Sequence, residues 1–265
     1  MCYDISFSTT IELITDYLPE IIIDPQISID FNSLDHVLAQ QYAKYPIILF
    51  EDGQYKLKEF EWGIIAGYMD TPEKIKKYRN SMCNVRSEKI LDKKSYWYRI
   101  RRQRCLVPMT GNYEHREIKG WKNKVPYHIR IDGRKMFCIP ALYNYAPVPD
   151  LETGEAIGTF APLTRGANNV MMQIHNSGDN LFRMPLFLPN KEMELKWLQS
   201  TLSDQDMADI MDYELPSEAL EYWPVFTIRS PKPRPDEKRK IDPWNWENLP
   251  PLGDDGTTEK QLILL

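Results

Sequence analysis

Hydrophobic positions in this chain alternate with polar ones more often than they recur at helical spacing. The pattern predicts many short strands and a few well-capped helices, an α+β arrangement. Residues 46–50 form an apolar run that stops at the turn Asp52-Gly53, and residues 55–65 then alternate loosely, as a strand of an antiparallel sheet would. Strands are also predicted over 105–108, 112–118, 159–163 and 185–188. Residues 127–131 and 135–143 flank Asp132-Gly133, which predicts a hairpin. Thr71-Pro72-Glu73 has the form of an N-cap followed by proline at the first helical position, so a helix should run to about Asn80. Ser95, Asn190 and Ser203 are the expected caps of three more helices, the last two over 190–200 and 203–213. Residues 146–158 make a loop rich in proline and glycine, and no internal repeat is visible. The proline-rich stretch 231–235 is read as the start of a loosely packed charged tail, residues 231–265, after a single domain over residues 1–230.

Composition adds a size and a compartment. With 265 residues, 42% of them hydrophobic, the chain can bury a substantial core. No uncharged apolar run approaches the ~20 residues needed to cross a bilayer. Asp4, Glu12, Asp16 and Glu20 interrupt the N-terminal stretch, which therefore does not read as a signal peptide. Cys2, Cys83, Cys105 and Cys138 contain no CxxC pair, so the expectation is four reduced thiols in a cytoplasmic protein, with no structural zinc and no cofactor.

The formal charge of −5 hides a strong segregation. Residues 1–43 hold seven acidic side chains and no Lys or Arg, whereas residues 71–136 hold 19 Lys and Arg against 6 Asp and Glu. Such a segment can build a positive groove despite the acidic whole. Its densest part, Arg99, Arg101, Arg102 and Arg104, adjoins Tyr96, Trp97 and Tyr98. Cations beside aromatic faces suit single-stranded nucleic acid. The other reading is a solvated helix face with its aromatics turned to the core.

Cys2 has the most unusual chemistry. Removal of Met1 exposes an amine and a thiol on adjacent carbons, and a terminal amine titrates near 7.7–8.0, about two units below lysine. The pair can attack an aldehyde through nitrogen and close through sulfur to a five-membered thiazolidine. The thiol could instead serve as a peptidase or amidase nucleophile, or Cys2 could be no more than part of a first strand. Asn84, Arg86 and Glu88 alternate along one short segment, Glu114 follows the glycine turn at Gly111, and His175 lies ahead of Arg183-Met184-Pro185. Each also has a bland reading: a turn former, a surface ion pair, a core histidine.

Taken in order, these motifs form a pattern. Met1-Cys2, Trp62-Gly63-Ile64-Ile65, Asn84-x-Arg86-x-Glu88, Arg104-Cys105-Leu106-Val107-Pro108 with Gly111-x-Tyr113-Glu114, Ala141-Leu142-Tyr143, and Ile174-His175 before Arg183-Met184-Pro185 follow one another. This order resembles the SOS response-associated peptidase (SRAP) family, whose members crosslink to abasic sites in single-stranded DNA. The resemblance spans residues 2–223. It implies a single α+β domain in which antiparallel sheets form an open barrel-like core, flanked by helices, beside a positive cleft. It also implies removal of the initiator methionine by the protein itself. Cys2 would supply amine and thiol, Asn84 would hold the adduct, Glu114 would shuttle protons, and His175 would act at the opened sugar. Arg86 would bind a flanking phosphate and Trp62 would contact a base or wall the cleft. Arg99, Arg101, Arg102, Arg183, Met184 and Pro185 complete the expected DNA-binding set. The partner would be single-stranded DNA containing abasic sites, bound by a monomer that is nucleoid-associated when on DNA.

The chain departs from the family pattern at several places. Tyr3-Asp4 replaces Gly-Arg after the cysteine, so a negative charge is expected where phosphate would lie. Asn112 and His115 replace aromatics around Tyr113-Glu114, Trp97 stands where an arginine is expected, and residues 177–182 are extra, a candidate lid. The rival functions are a Cys-nucleophile peptidase or amidase, and a DNA-binding module without chemistry.

Overall fold

The computed structural model describes residues 3–150, 152–230 and 233–256, so Met1 and Cys2 lie outside the described residues. In chain order the elements are β1 (Asp4–Ser6), α1 (Glu12–Tyr17), β2 (Ile22–Ile23), β3 (Val37–Leu38), β4 (Lys44–Glu51), β5 (Gln54–Trp62), α2 (Pro72–Tyr78) and β6 (Val85–Arg86). Then follow α3 (Tyr96–Ile100), β7 (Arg104–Met109), β8 (Gly111–Arg116), β9 (Val125–Ile131), β10 (Phe137–Tyr145) and β11 (Gly158–Gly166). The last are α4 (Asn169–Ile174), β12 (Arg183–Pro185), α5 (Lys191–Leu198), α6 (Asp204–Asp212) and β13 (Leu220–Pro224). The fold is a mixed helix and sheet domain. Among the described residues no helix is long and apolar enough to cross a membrane.

The strands form two sheets. The smaller has the order β13-β9-β8-β1-β3, and the larger β12-β11-β10-β7-β4-β5-β2, with β6 added beside β11. The apolar run in β4 is explained by its place between β5 and β7, where both faces are covered. A two-residue contact between β5 and β11 curls the larger sheet back on itself without sealing a true barrel. That contact is parallel, as are β2–β5 and β6–β11, so the sheets are not purely antiparallel. Ile5 and Ile129 of the smaller sheet share one buried core with Leu106, Ile139 and Phe160 of the larger.

The two Asp-Gly turns behave differently. Asp52 and Gly53 both take positive φ, 54° and 78°, and join β4 to β5 as a tight hairpin. At 132–133 only the glycine does, at 68°. The predicted hairpin there does not form: β9 pairs with β8 and β13 in one sheet, while β10 pairs with β7 and β11 in the other. The Asp132 amide bonds the Ala219 carbonyl instead, ahead of β13. The helix caps match the sequence more closely. Thr71, Ser95, Asn190 and Ser203 each accept a backbone N–H from the first turn of their helix.

The C-terminal segment is not the loosely packed tail expected from its composition. Trp246 donates its indole N–H to the Val225 carbonyl at 3.0 Å, Arg239 pairs with Asp35 at 2.5 Å, and Asp255 is buried against Arg116. Residues 257–265 lie outside the described residues.

Candidate active site

Alternation along β8 puts Asn112, Glu114 and Arg116 on one face. All three are buried, and Glu114 retains only 4% of its exposure. One of its carboxyl oxygens, Oε1, has no hydrogen-bond partner among the described residues. Burial drives the Glu114 carboxyl up to about 8, with the Asp4 carboxylate adding to the effect and Arg229 opposing it. His175 follows directly on α4, and its Nε2 stands 3.9 Å from Glu114 Oε2. Its Nδ1 lies 2.8 Å from the Arg183 carbonyl oxygen and 3.3 Å from the Arg183 amide nitrogen, contacts that anchor the ring from that side. Burial pushes the imidazole down to about 4. Burial thus disfavours the charged form of both groups.

A second wall comes from the segment that leads into β6. Trp62, at the end of β5, donates its indole N–H to the Cys83 carbonyl at 2.7 Å and stacks on Phe160. That bond fixes the backbone immediately before Asn84. Asn84 is 5% exposed, and neither of its amide atoms has a partner among the described residues. Buried amides normally do, and Asn112 on β8 is unsatisfied in the same way. Tyr3 joins the two walls: burial raises its phenol, the Cys83 and Glu114 groups add to the rise, and Arg86 opposes it. Cys2 lies outside the described residues. Among the described residues no group of three His, Cys, Asp or Glu side chains could hold a metal ion.

Comparison with known proteins places the chain among relatives. The sequence profile of the SOS response associated peptidase (SRAP) family matches residues 6–228. The chain belongs to this family. The abasic site processing protein YoqW of Bacillus subtilis (strain 168) is 26% identical over 186 residues, which cover 70% of this chain and 76% of that protein. Abasic site processing protein YMR114C of Saccharomyces cerevisiae is 27% identical over 169 residues, 62% of this chain but 41% of that longer protein. A Bacteroides thetaiotaomicron protein of known crystal structure superposes with a TM-score of 0.74 at 29% identity, covering 91% of this chain and 97% of its own.

Not every residue expected to touch DNA in this SRAP protein is free to do so. Trp62 and Met184 are fully enclosed and Pro185 is buried, so none offers a side-chain face to a base. Trp62 instead braces Asn84 from beneath, and Met184 accepts the Asn168 amide on its sulfur. Arg101 and Arg102 both pair with Asp204 at the start of α6, and Arg104 is buried against the carbonyls of Trp197 and Gln199. Arg101 and Arg102, just after α3, are thus tied to the start of α6 and Arg104 to the end of α5, while Arg99 and Arg102 remain exposed. Arg86 is exposed and donates to Asn180 of the extra loop at 2.7 Å. Arg183 makes a bidentate pair with Glu88 at 2.5 and 2.9 Å.

The Asp4 charge is answered within the fold. Burial alone would raise its carboxyl, but hydrogen bonds from His36 and Arg229 outweigh that and hold it below the usual range. His36 Nε2 lies 2.7 Å from Asp4 Oδ1 and Arg229 Nε 3.0 Å from the same oxygen. The Asp4 carboxylate is therefore paired with a guanidinium and does not stand as a lone negative charge. Sequence reasoning missed an aromatic patch: Tyr68 packs edge-on against both Tyr78 and Tyr96, and Lys77 lies 4.9 Å over the Tyr78 ring. Tyr68 and Tyr78 are 45% and 37% exposed, and the exposed cations Lys76 and Arg99 belong to α2 and α3. The available signal was tyrosines at 68, 78 and 96 interleaved with the lysine-rich helix.

Proposed function

We propose that this SRAP protein processes abasic sites in single-stranded DNA by forming a covalent thiazolidine through Cys2, freed of Met1. The carrying observation is the pair of buried groups Glu114 and His175, 3.9 Å apart, with burial disfavouring the charged form of each. The Cys2 amine adds to the aldehyde carbon of the ring-opened sugar to give a carbinolamine. Glu114 donates its proton to the departing oxygen, which leaves as water, and an imine forms. The sulfur then adds to the imine carbon, the thiol proton ends on nitrogen, and Glu114 recovers its own proton from the amine. One aldehyde and one aminothiol give one thiazolidine and one water. Nε2 of His175 accepts the proton that opens the sugar ring and returns it to the sugar oxygen. Asn84 offers one donor and one acceptor to the adduct. Before any of this, the Cys2 thiol acts on the Met1–Cys2 peptide bond, which is hydrolysed.

DNA would reach the site along the exposed cations, with Arg86 exchanging Asn180 for a phosphate. The Tyr68, Tyr78 and Tyr96 rings give unstacked bases a surface. The test is intact mass after mixing with a single-stranded oligonucleotide carrying one abasic site. The expected product has the summed mass less one water, survives heating, and is absent for Cys2→Ala. A heat-stable adduct with Cys2→Ala overturns the mechanism. Cleaved peptide without an adduct would indicate the peptidase alternative, and reversible binding alone a module without chemistry.

A further inference from the structure

We infer that Asp255, in a C-terminal strap beyond the family-matched residues, is a positioning residue for Glu114 and His175, acting through Arg116 and Asn176. The proposal rests on the reading of those two groups as the acid and base of the site.

The geometry is that of a clamp with two jaws. Asp255 Oδ1 accepts from Arg116 Nε at 2.5 Å, and Asp255 Oδ2 accepts from Asn176 Nδ2 at 3.0 Å. Arg116 lies two residues after Glu114 on the same face of β8, and Asn176 directly follows His175. One carboxylate therefore spans the two elements that carry the acid and the base. The Asn176 amide closes the same gap by itself, accepting from the Glu117 amide at 2.8 Å and donating to the Glu117 carbonyl at 2.9 Å. Strap backbone completes the anchorage. Arg116 donates to the Pro250 and Pro251 carbonyls at 2.8 and 2.5 Å, and the Lys119 amide donates to the Asp255 carbonyl at 2.9 Å.

Arg116 is 0% exposed and Asp255 4%, so water cannot substitute for either partner. The family match ends at residue 228, so these contacts come from outside it. The 3.9 Å between His175 Nε2 and Glu114 Oε2 is a distance at which small displacements decide whether a proton can pass. A misplacement of about 1 Å can slow an enzyme ~100-fold. Holding Asn176 to β8 limits that displacement at the residue next to His175.

The experiment uses the full chain and three variants. Asp255→Ala strips a buried guanidinium of its counter-charge and could fail to fold. Asn176→Ala leaves the Arg116–Asp255 pair intact and removes every side-chain bond from residue 176 to Asp255 and Glu117, whereas Asp255→Asn keeps the Glu117 bonds and weakens only the strap's hold. Two readouts are taken: crosslinking rate under saturating abasic DNA with affinity measured separately, and, without DNA, the NMR titration of the Glu114 carboxyl and the His175 ring nitrogens. Asn176→Ala should slow crosslinking by roughly 10- to 100-fold with affinity within about twofold, and should shift both titrations. A variant that melts earlier but keeps the wild-type rate and titrations would overturn the proposal, leaving the strap a structural brace. Wild-type protein that forms no adduct would refute the proposed function instead, and the titrations would still decide whether the strap sets the pair.

Discussion

Replacing Glu114 by glutamine should stabilise the protein while disabling it. The carboxyl holds its proton to about 8 in the fold against an ordinary 4.5 in the unfolded chain, because burial penalises the charge. Between those two values the unfolded chain has lost a proton that the folded chain retains, so stability falls as pH rises and the loss is complete above about 8. At about 1.36 kcal/mol for each tenfold change in proton affinity, ionising this side chain costs the fold up to roughly 5 kcal/mol. Glutamine has the same shape and no charge to bury. Near the pH of an unperturbed glutamate the two proteins should therefore melt together. One or more pH units above 8 the variant should melt about 10 °C or more higher, at about 2–4 °C per kcal/mol for a chain of this size. Calorimetric melting curves of both proteins across that range test this directly. The wild type and Glu114→Gln keeping the same spacing at every pH would mean that the carboxyl is ionised in the fold and cannot donate the proton that releases water. In the same preparations, crosslinking should be slower in the variant by about 10²–10⁴.

Arg86→Ala should lower the slope of log affinity against log salt for intact single-stranded DNA by about 0.7, the value of one phosphate contact. An unchanged slope would assign Arg86 to Asn180 alone. Trp62→Phe removes the donor to the Cys83 carbonyl and should cost stability of about 1–3 kcal/mol with no change in salt slope. If instead DNA affinity drops and the melting temperature holds, the indole faces DNA after all.

Local signals were legible because local physics decides them. The caps Thr71, Ser95, Asn190 and Ser203 act within one turn of their own helices, and the apolar stretch in β4 records burial on both faces. The order of the motifs, read from sequence alone, led to the family and to Asn84, Glu114 and His175 as site residues, of which Glu114 and His175 meet at 3.9 Å.

What the sequence could not reveal is which groups meet across distance. Both Asp-Gly pairs look alike as text, yet Asp132-Gly133 carries the chain between sheets because β13 and β8 occupy the edges of β9. The basic segment looked like one positive surface, but Asp204, Glu61 and Asp255 from elsewhere in the chain claim Arg101, Arg102, Arg79 and Arg116. The acidic Asp4 is matched by His36 and Arg229, 32 and 225 residues away. Burial, which sets the proton affinity of Glu114 and hides Trp62 from solvent, belongs to packing between elements. A residue's type and spacing fix what it can do, whereas the dielectric and the partners it meets exist only once distant segments close around it.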